Sequence, residues 1–326
     1  MKKRMGFGIP VFIGLLAVTC DKEDTVMGPK GPVTLEMSPV AYEAIRVMTP
    51  LGNVNPPGHT FPTNHIYFYL YGTARVEVRA VADGTVRELY YNSWSDDYRV
   101  EFTHTTTFAT YFDHVADPPS TVKKGAEIQA GELVGYADPS TGALDLGVVD
   151  YEITRQFIDP RRYHEFSLHC GDPYQYFSQD VLDQLLPKNQ RTAEPRGGKI
   201  DYDVDATLAG NWFLDGTPVG DVLFQNDYSA NHLAFVYDMI DPSRIRIAAG
   251  GTLQSAPFVW GVTGNAPDPV DVTGASGPVK YALQAHQQTA MLVQLQDART
   301  IRVEVFPGKS PDQVTGFTDS ARLYRR

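Results

Sequence analysis

Short β-type runs separated by turn residues fill the chain from about Thr34 to Glu152 and again from Lys199 onward. In the first block they read HIYFYLY (65–71), RVEVRAV (75–81), YRVEFTH (98–104) and TTFATYF (106–112), bounded by Gly, Asp, Asn, Ser and Pro. In the second they read KIDYDV, GNWFL, HLAFVYDM, RIRIAAGG, VKYALQA, AMLVQLQ and TIRVEVF. Residues 174–186 (YQYFSQDVLDQLL) have the apolar spacing of one amphipathic helix, ending before Pro187. The polar, charged segment KNQRTAEPRGGK (188–199) marks a boundary between the blocks. The pattern predicts a mainly β protein with two domains and one short helix between them. A chain of 326 residues accommodates that at roughly 100–200 residues per domain.

The N-terminus reads as an address. Lys2, Lys3 and Arg4 precede an apolar stretch, Met5 to Val18, shorter than the roughly 20 residues of a membrane span but suited to a signal peptide. Cys20 follows, then the polar Asp21-Lys22-Glu23-Asp24. The segment resembles a bacterial lipoprotein signal, which implies Cys20 as the lipid-attachment residue and a lipid-anchored protein of the bacterial cell envelope. An ordinary secretory signal is the plainer alternative. The expected organisation is a signal over 1–20, a flexible tether over 21–33, a β-core domain over 34–165, helix and linker over 166–199, and a C-terminal β domain over 200–326.

Charge narrows the partners. The net charge is −11, and removing the three positive charges of Lys2, Lys3 and Arg4 leaves −14. No basic excess is available to neutralise phosphates, so nucleic acid is excluded as a partner and membrane attachment falls to the anchor. With Cys20 acylated, Cys170 has no disulfide partner in the chain and is expected to be buried. No G-x-S-x-G elbow, phosphate loop or dinucleotide-binding motif appears.

The most specific stretch runs from Ala80 to Glu152. It contains Ala80-Val81-Ala82-Asp83-Gly84-Thr85-Val86, then Thr110-Tyr111-Phe112-Asp113-His114, Val122-Lys123-Lys124-Gly125, Ala130-Gly131-Glu132-Leu133-Val134-Gly135 and Thr141-Gly142. In that order these resemble the β-sheet core of the M23 (LytM-type) peptidases, over about residues 50–155. The family places zinc on two histidines and one aspartate, drawn from an H-x-x-x-D motif and an H-x-H pair, with an open position for water. Carried over, His65 takes the first ligand position and Tyr69 stands where the aspartate belongs. Counting from Thr141-Gly142, the H-x-H pair falls on Val148 and Asp150. His114 keeps the position of a catalytic histidine. His59, in the proline-rich stretch Pro56 to Thr63, is a substitute ligand candidate; its loop reads equally as a binding loop or a stiff connector. Biotinyl and lipoyl carrier domains share the glycine run, but neither Lys123 nor Lys124 sits on the exposed hairpin a carrier needs.

Gly210-Asn211-Trp212 matches the G-x-W opening of lipocalin-like barrels, with arginines near the C-terminus available to cover the indole. About seven or eight strands suit either an up-and-down barrel or a sandwich. Asp201, Asp203 and Asp205 alternate as solvated edge charges on an extended strand, without the glycine and distal glutamate of a calcium loop. Three readings follow. The first is an envelope lipoprotein with a degenerate, non-catalytic M23-like domain that needs no cofactor and binds peptidoglycan, another envelope glycan or an envelope protein. The second is a zinc endopeptidase with a displaced ligand set, in which His65 and Asp150 hold the metal with a third ligand unidentified and His114 stabilises the tetrahedral intermediate. The third is a lipid or small-molecule carrier built on the C-terminal barrel.

Overall fold

The computed structural model describes residues 28–140, 142–220 and 228–326. The signal segment and Cys20 lie outside the described residues. Among those described, no helix is long and apolar enough to cross a membrane.

The first domain comprises β1 (Ile45–Thr49), β2 (Ile66–Leu70), β3 (Val76–Arg79), β4 (Gly84–Asn92), β5 (Asp97–Thr105), β6 (Phe108–Val115), β7 (Glu127–Ile128), β8 (Leu133–Ala137), β9 (Ala143–Asp150) and β10 (Cys170–Gly171). The main sheet runs β1-β2-β9-β6-β5-β4-β7, with β10 paired to the far end of β9, and β3 pairs separately with β8. Alternation decides what each face does. Ile66, Phe68, Leu146, Val148, Phe112, Val100 and Phe102 turn to one face, where Val78, Val134 and Ala137 from the β3–β8 pair join the same core. The other face carries polar and aromatic residues and becomes the site.

The structure redraws the segment expected to be a linker. Helix α1 (Glu165–Leu168) and α2 (Gln179–Leu185) follow the sheet, and Cys170, Tyr174, Phe177, Val181, Leu185 and Ile200 all belong to the first core. Cys170 is buried and free, and burial pushes its thiol up to about 12. The polar boundary 188–199 is clasped rather than loose. Arg191 is only 2% exposed, and its guanidinium donates to the carbonyls of Ala193, Pro195 and Met239. Nor is the described part of the tether free, since Thr106 N donates to Pro29 O at 2.9 Å and Gly31 N to Thr107 Oγ1 at 2.7 Å.

The second domain is a closed antiparallel barrel of β11 (Gly210–Leu214), β12 (His232–Tyr237), β13 (Ile245–Ala249), β14 (Phe258–Thr263), β15 (Val279–Leu283), β16 (Thr289–Asp297), β17 (Thr300–Pro307) and β18 (Arg322–Arg325). Closure removes the unpaired edges an open sheet leaves. Trp212, Leu233, Phe235, Ile247, Tyr281, Met291, Val303 and Tyr324 pack together in one core. The C-terminal Arg326 lies over Trp212 at 4.0 Å, as the G-x-W reading expects.

KIDYDV forms no strand. Asp203 instead accepts from Ile158 N at 2.9 Å and Asn211 N at 2.8 Å, and Asp201 accepts from Gln156 N at 3.1 Å. Two of the three supposed edge charges are therefore staples for neighbouring backbone, while Asp205 pairs with Arg299.

Candidate functional site

The polar face of the main sheet assembles from four adjacent strands. Tyr67 lies opposite Asp145, and Asp145 opposite Asp113, so these side chains share a face with His65, Tyr69, Tyr111 and Arg99. Gly147 makes room for the Tyr111 ring, because a Cβ there would lie 2.1 Å from it. Arg99 grips Asp113 with two hydrogen bonds of 2.7 and 2.6 Å, its guanidinium over Tyr111 at 4.9 Å and Phe166 at 5.5 Å.

His65 is buried at the centre. Asn64 Oδ1 accepts from Tyr111 Oη at 2.9 Å and from His65 Nδ1 at 3.2 Å, which leaves His65 Nε2 as an acceptor. Tyr67 Oη meets that nitrogen at 3.0 Å, and Asp145 Oδ2 stands 3.3 Å from it. Burial holds His65 well below the ordinary imidazole range, so the ring is neutral, and burial keeps the Tyr67 phenol protonated.

His114 approaches Asp145 from the other side. Its φ is +66°, beside a register irregularity between Tyr98 and Val100 on the paired strand. In a regular strand Asp113 and His114 would face opposite ways; the left-handed residue and the irregular pairing turn both toward Asp145. His114 Nδ1 bonds Asp97 Oδ2 at 2.6 Å, and Nε2 lies 3.6 Å from Asp145 Oδ2. The Asp97 hydrogen bond raises His114 to about 9, so it is a cation at neutral pH. Burial raises the Asp145 carboxyl well above the usual carboxylate range, and its Oδ1 is buried without a hydrogen-bond partner. The result is a chain of contacts, Asp97–His114–Asp145–His65–Tyr67, running through the face.

Beside His65 opens a cavity of about 300 Å³ between the domains, with His59, Asn64, Arg99, His164, Ser167 and Ser229 among its walls. The proline-rich loop forms one side. Asn55 and His59 exchange backbone hydrogen bonds of 2.7 and 3.1 Å that close its turn. Phe61 then crosses to the barrel, stacking on His232 at 3.9 Å and meeting Phe213 edge-on at 5.1 Å. The His59 ring stands edge-on to His65 at 5.4 Å and is neutral, pushed down to about 4 chiefly by burial. The loop therefore connects the domains and walls the cavity.

The structure brings His59, His65 and His114 together and separates Asp150 from them. Asp150 closes the far end of β9, opposite Phe108, and its carboxylate accepts from Tyr176 Oη at 2.9 Å. It differs from Asp145 by five positions, an odd number, so it faces the core side of the sheet, and Val148 belongs to the core itself. The β9 carboxylate beside His65 and His114 is thus Asp145 rather than Asp150. The signal was present in the sequence, since Ala143-Leu144-Asp145 directly follows Thr141-Gly142. Asn64, Tyr67, Asp97 and Arg99 carry no motif and emerge only from strand pairing.

On this face Tyr69 and Asp145 are the groups that a zinc ion held by His65 would meet. Burial raises the Tyr69 phenol, which keeps its proton at neutral pH and is a poor metal ligand. Tyr67 already occupies the nitrogen of His65 that a metal would take. The donor set does not fit the family's two histidines and one aspartate. Among the described residues, no group of three or more His, Cys, Asp or Glu is arranged to hold a metal ion.

Residues 62–160 match the model of Peptidase family M23, and the first domain carries that family's core. Solved structures similar to the chain include Csd3 of Helicobacter pylori, at 20% identity over 40% of this chain and 35% of that one, with a TM-score of 0.30. A zinc-containing peptidase from Vibrio cholerae shows 19% identity over 37% of this chain and 38% of that one, also with a TM-score of 0.30. The chain spans little more than a third of the length of either. No curated protein matches it.

Proposed function

We propose that the protein is a lipid-anchored envelope protein whose M23-like domain binds a glycan of the cell envelope, peptidoglycan foremost, without cleaving it. The observation that carries this reading is the wiring of His65. The nitrogen a peptidase would give to zinc accepts the Tyr67 phenol, and the third ligand position holds Tyr69. The adjoining cavity suits binding. At about 300 Å³ it stands at the lower end of ligand pockets, roughly 300–1,000 Å³, and mixes hydrogen-bonding groups (Arg99, Asn64, His164) with the rings of Phe61 and Phe166. The barrel supplies part of the wall through Ser229 and His232.

The test is co-sedimentation of the purified chain with insoluble peptidoglycan. The chain is expected to pellet with it, and Arg99→Ala to weaken pelleting several-fold. A chain that stays in the supernatant overturns the reading.

A zinc-dependent hydrolase is the second reading, favoured by the convergence of His65 Nε2 and His114 Nε2 on a single oxygen of Asp145. It predicts one tightly held zinc ion per chain, lost in both His65→Ala and Asp145→Ala.

A further inference from the structure

We infer that the tip of the β4–β5 hairpin is a stacking platform for a pyranose ring of the bound glycan, with Trp94 as its centre. This rests on the glycan-binding reading above and adds to it a contact outside the cavity. Trp94 is 88% exposed, and Tyr90 and Tyr91 beside it are about half exposed. Burying an indole commonly stabilises a protein by several kcal/mol, so an indole held in water at the end of a hairpin is a choice the fold has not corrected.

The tip is held in shape by its own hydrogen bonds. Trp94 N donates to Asn92 Oδ1 at 3.2 Å, Asp96 N to Asn92 O at 2.9 Å, Ser95 Oγ to Asp97 Oδ1 at 2.6 Å and Tyr91 Oη to Asp96 Oδ1 at 2.7 Å. A preorganised aromatic surface loses little entropy when a ligand settles on it.

Its surroundings select the ligand. The neighbours are Asn92, Ser95 and Asp96, with no Lys or Arg between Tyr90 and Tyr98 and a chain charge of −11, which is unfavourable for anionic headgroups. A sugar ring answers both features. Its C–H groups lie against the negative face of the indole, and its hydroxyls donate to carboxylate and amide oxygens. One exposed indole at a hairpin tip falls far short of the roughly 1,600 Å² that a stable protein partner buries. Asp97 ends the tip and holds His114, while Arg99 on the same strand lines the cavity, five residues from Trp94 and so within about 17 Å.

The experiment is a fluorescence titration of the full chain with a tetramer of β-1,4-linked N-acetylglucosamine. Trp94 is the solvent-exposed emitter, since Trp212 is buried and Trp260 stacks on Phe258 at 3.9 Å. Binding is expected to shift the emission to the blue, Trp94→Ala to weaken affinity roughly tenfold, and Trp94→Phe to restore part of it. Circular dichroism confirms that each variant is folded. If Trp94→Ala binds the tetramer as the parent does, the platform is overturned while the glycan-binding reading stands. A parent chain that binds neither tetramer nor peptidoglycan removes both. A blue shift with phosphatidylcholine vesicles and none with the tetramer overturns the platform in favour of a lipid surface.

Discussion

His114 is the residue on which the site's electrostatics turn. Its hydrogen bond to Asp97 raises it to about 9 in the folded chain, against an ordinary imidazole value of about 6.5. A group raised on folding contributes stability that is fully present below its unfolded value and lost as pH rises through the folded one. Denaturation midpoints should therefore fall between about pH 6.5 and 9, and Asp97→Asn should flatten that fall. An NMR titration of the same variant should show the His114 transition moving down from about 9 toward the ordinary range. An unmoved transition would place the cause elsewhere than Asp97. At this scale the sequence was only partly legible. His65 and His114 stand on motif positions, whereas Asp145 was missed because β9 carries two aspartates of opposite facing and only pairing with Tyr67 and Asp113 separates them.

Most strands were legible as elements, because alternation and turn residues report local geometry directly. KIDYDV has the composition of a strand, yet Asp201 and Asp203 direct their carboxylates to backbone amides of residues 156–158, contacts no local pattern announces. The G-x-W opening was legible for the opposite reason, since Trp212 needs a cover and the chain ends in arginines. Arg326 lies over the indole and donates to the carbonyls of Ala209 at 2.6 Å and Val204 at 2.8 Å. Arg326→Ala should destabilise the barrel by about 2–4 kcal/mol, combining a desolvated cation–π contact with charge-assisted hydrogen bonds. Urea denaturation followed by circular dichroism checks this. A change within about 0.5 kcal/mol would mean the arginine only decorates the barrel end.

At the scale of the molecule, composition pointed to two domains and to a linker between them, and the linker is where the expectation and the structure part. Arg191, a polar residue in a polar run, is buried by the carbonyls it satisfies in both halves, so charge in the sequence is a poor guide to exposure there. Phe61 performs the same joining from the other side through His232 and Phe213. Calorimetry of the parent should show a single coupled transition. Phe61→Ala should lower it and split the unfolding of the barrel from that of the sheet, with a loss of up to about 3–5 kcal/mol. Two transitions in the parent would contradict the coupling.

The cavity depends on that joining, and so does the central claim that an M23 core here binds without cutting. The most direct test is release of soluble fragments from dye-labelled peptidoglycan by the purified chain supplied with equimolar zinc. The account predicts no release above the protein-free control, while the chain remains bound to the insoluble material. Zinc-dependent release that disappears in His65→Ala would contradict it.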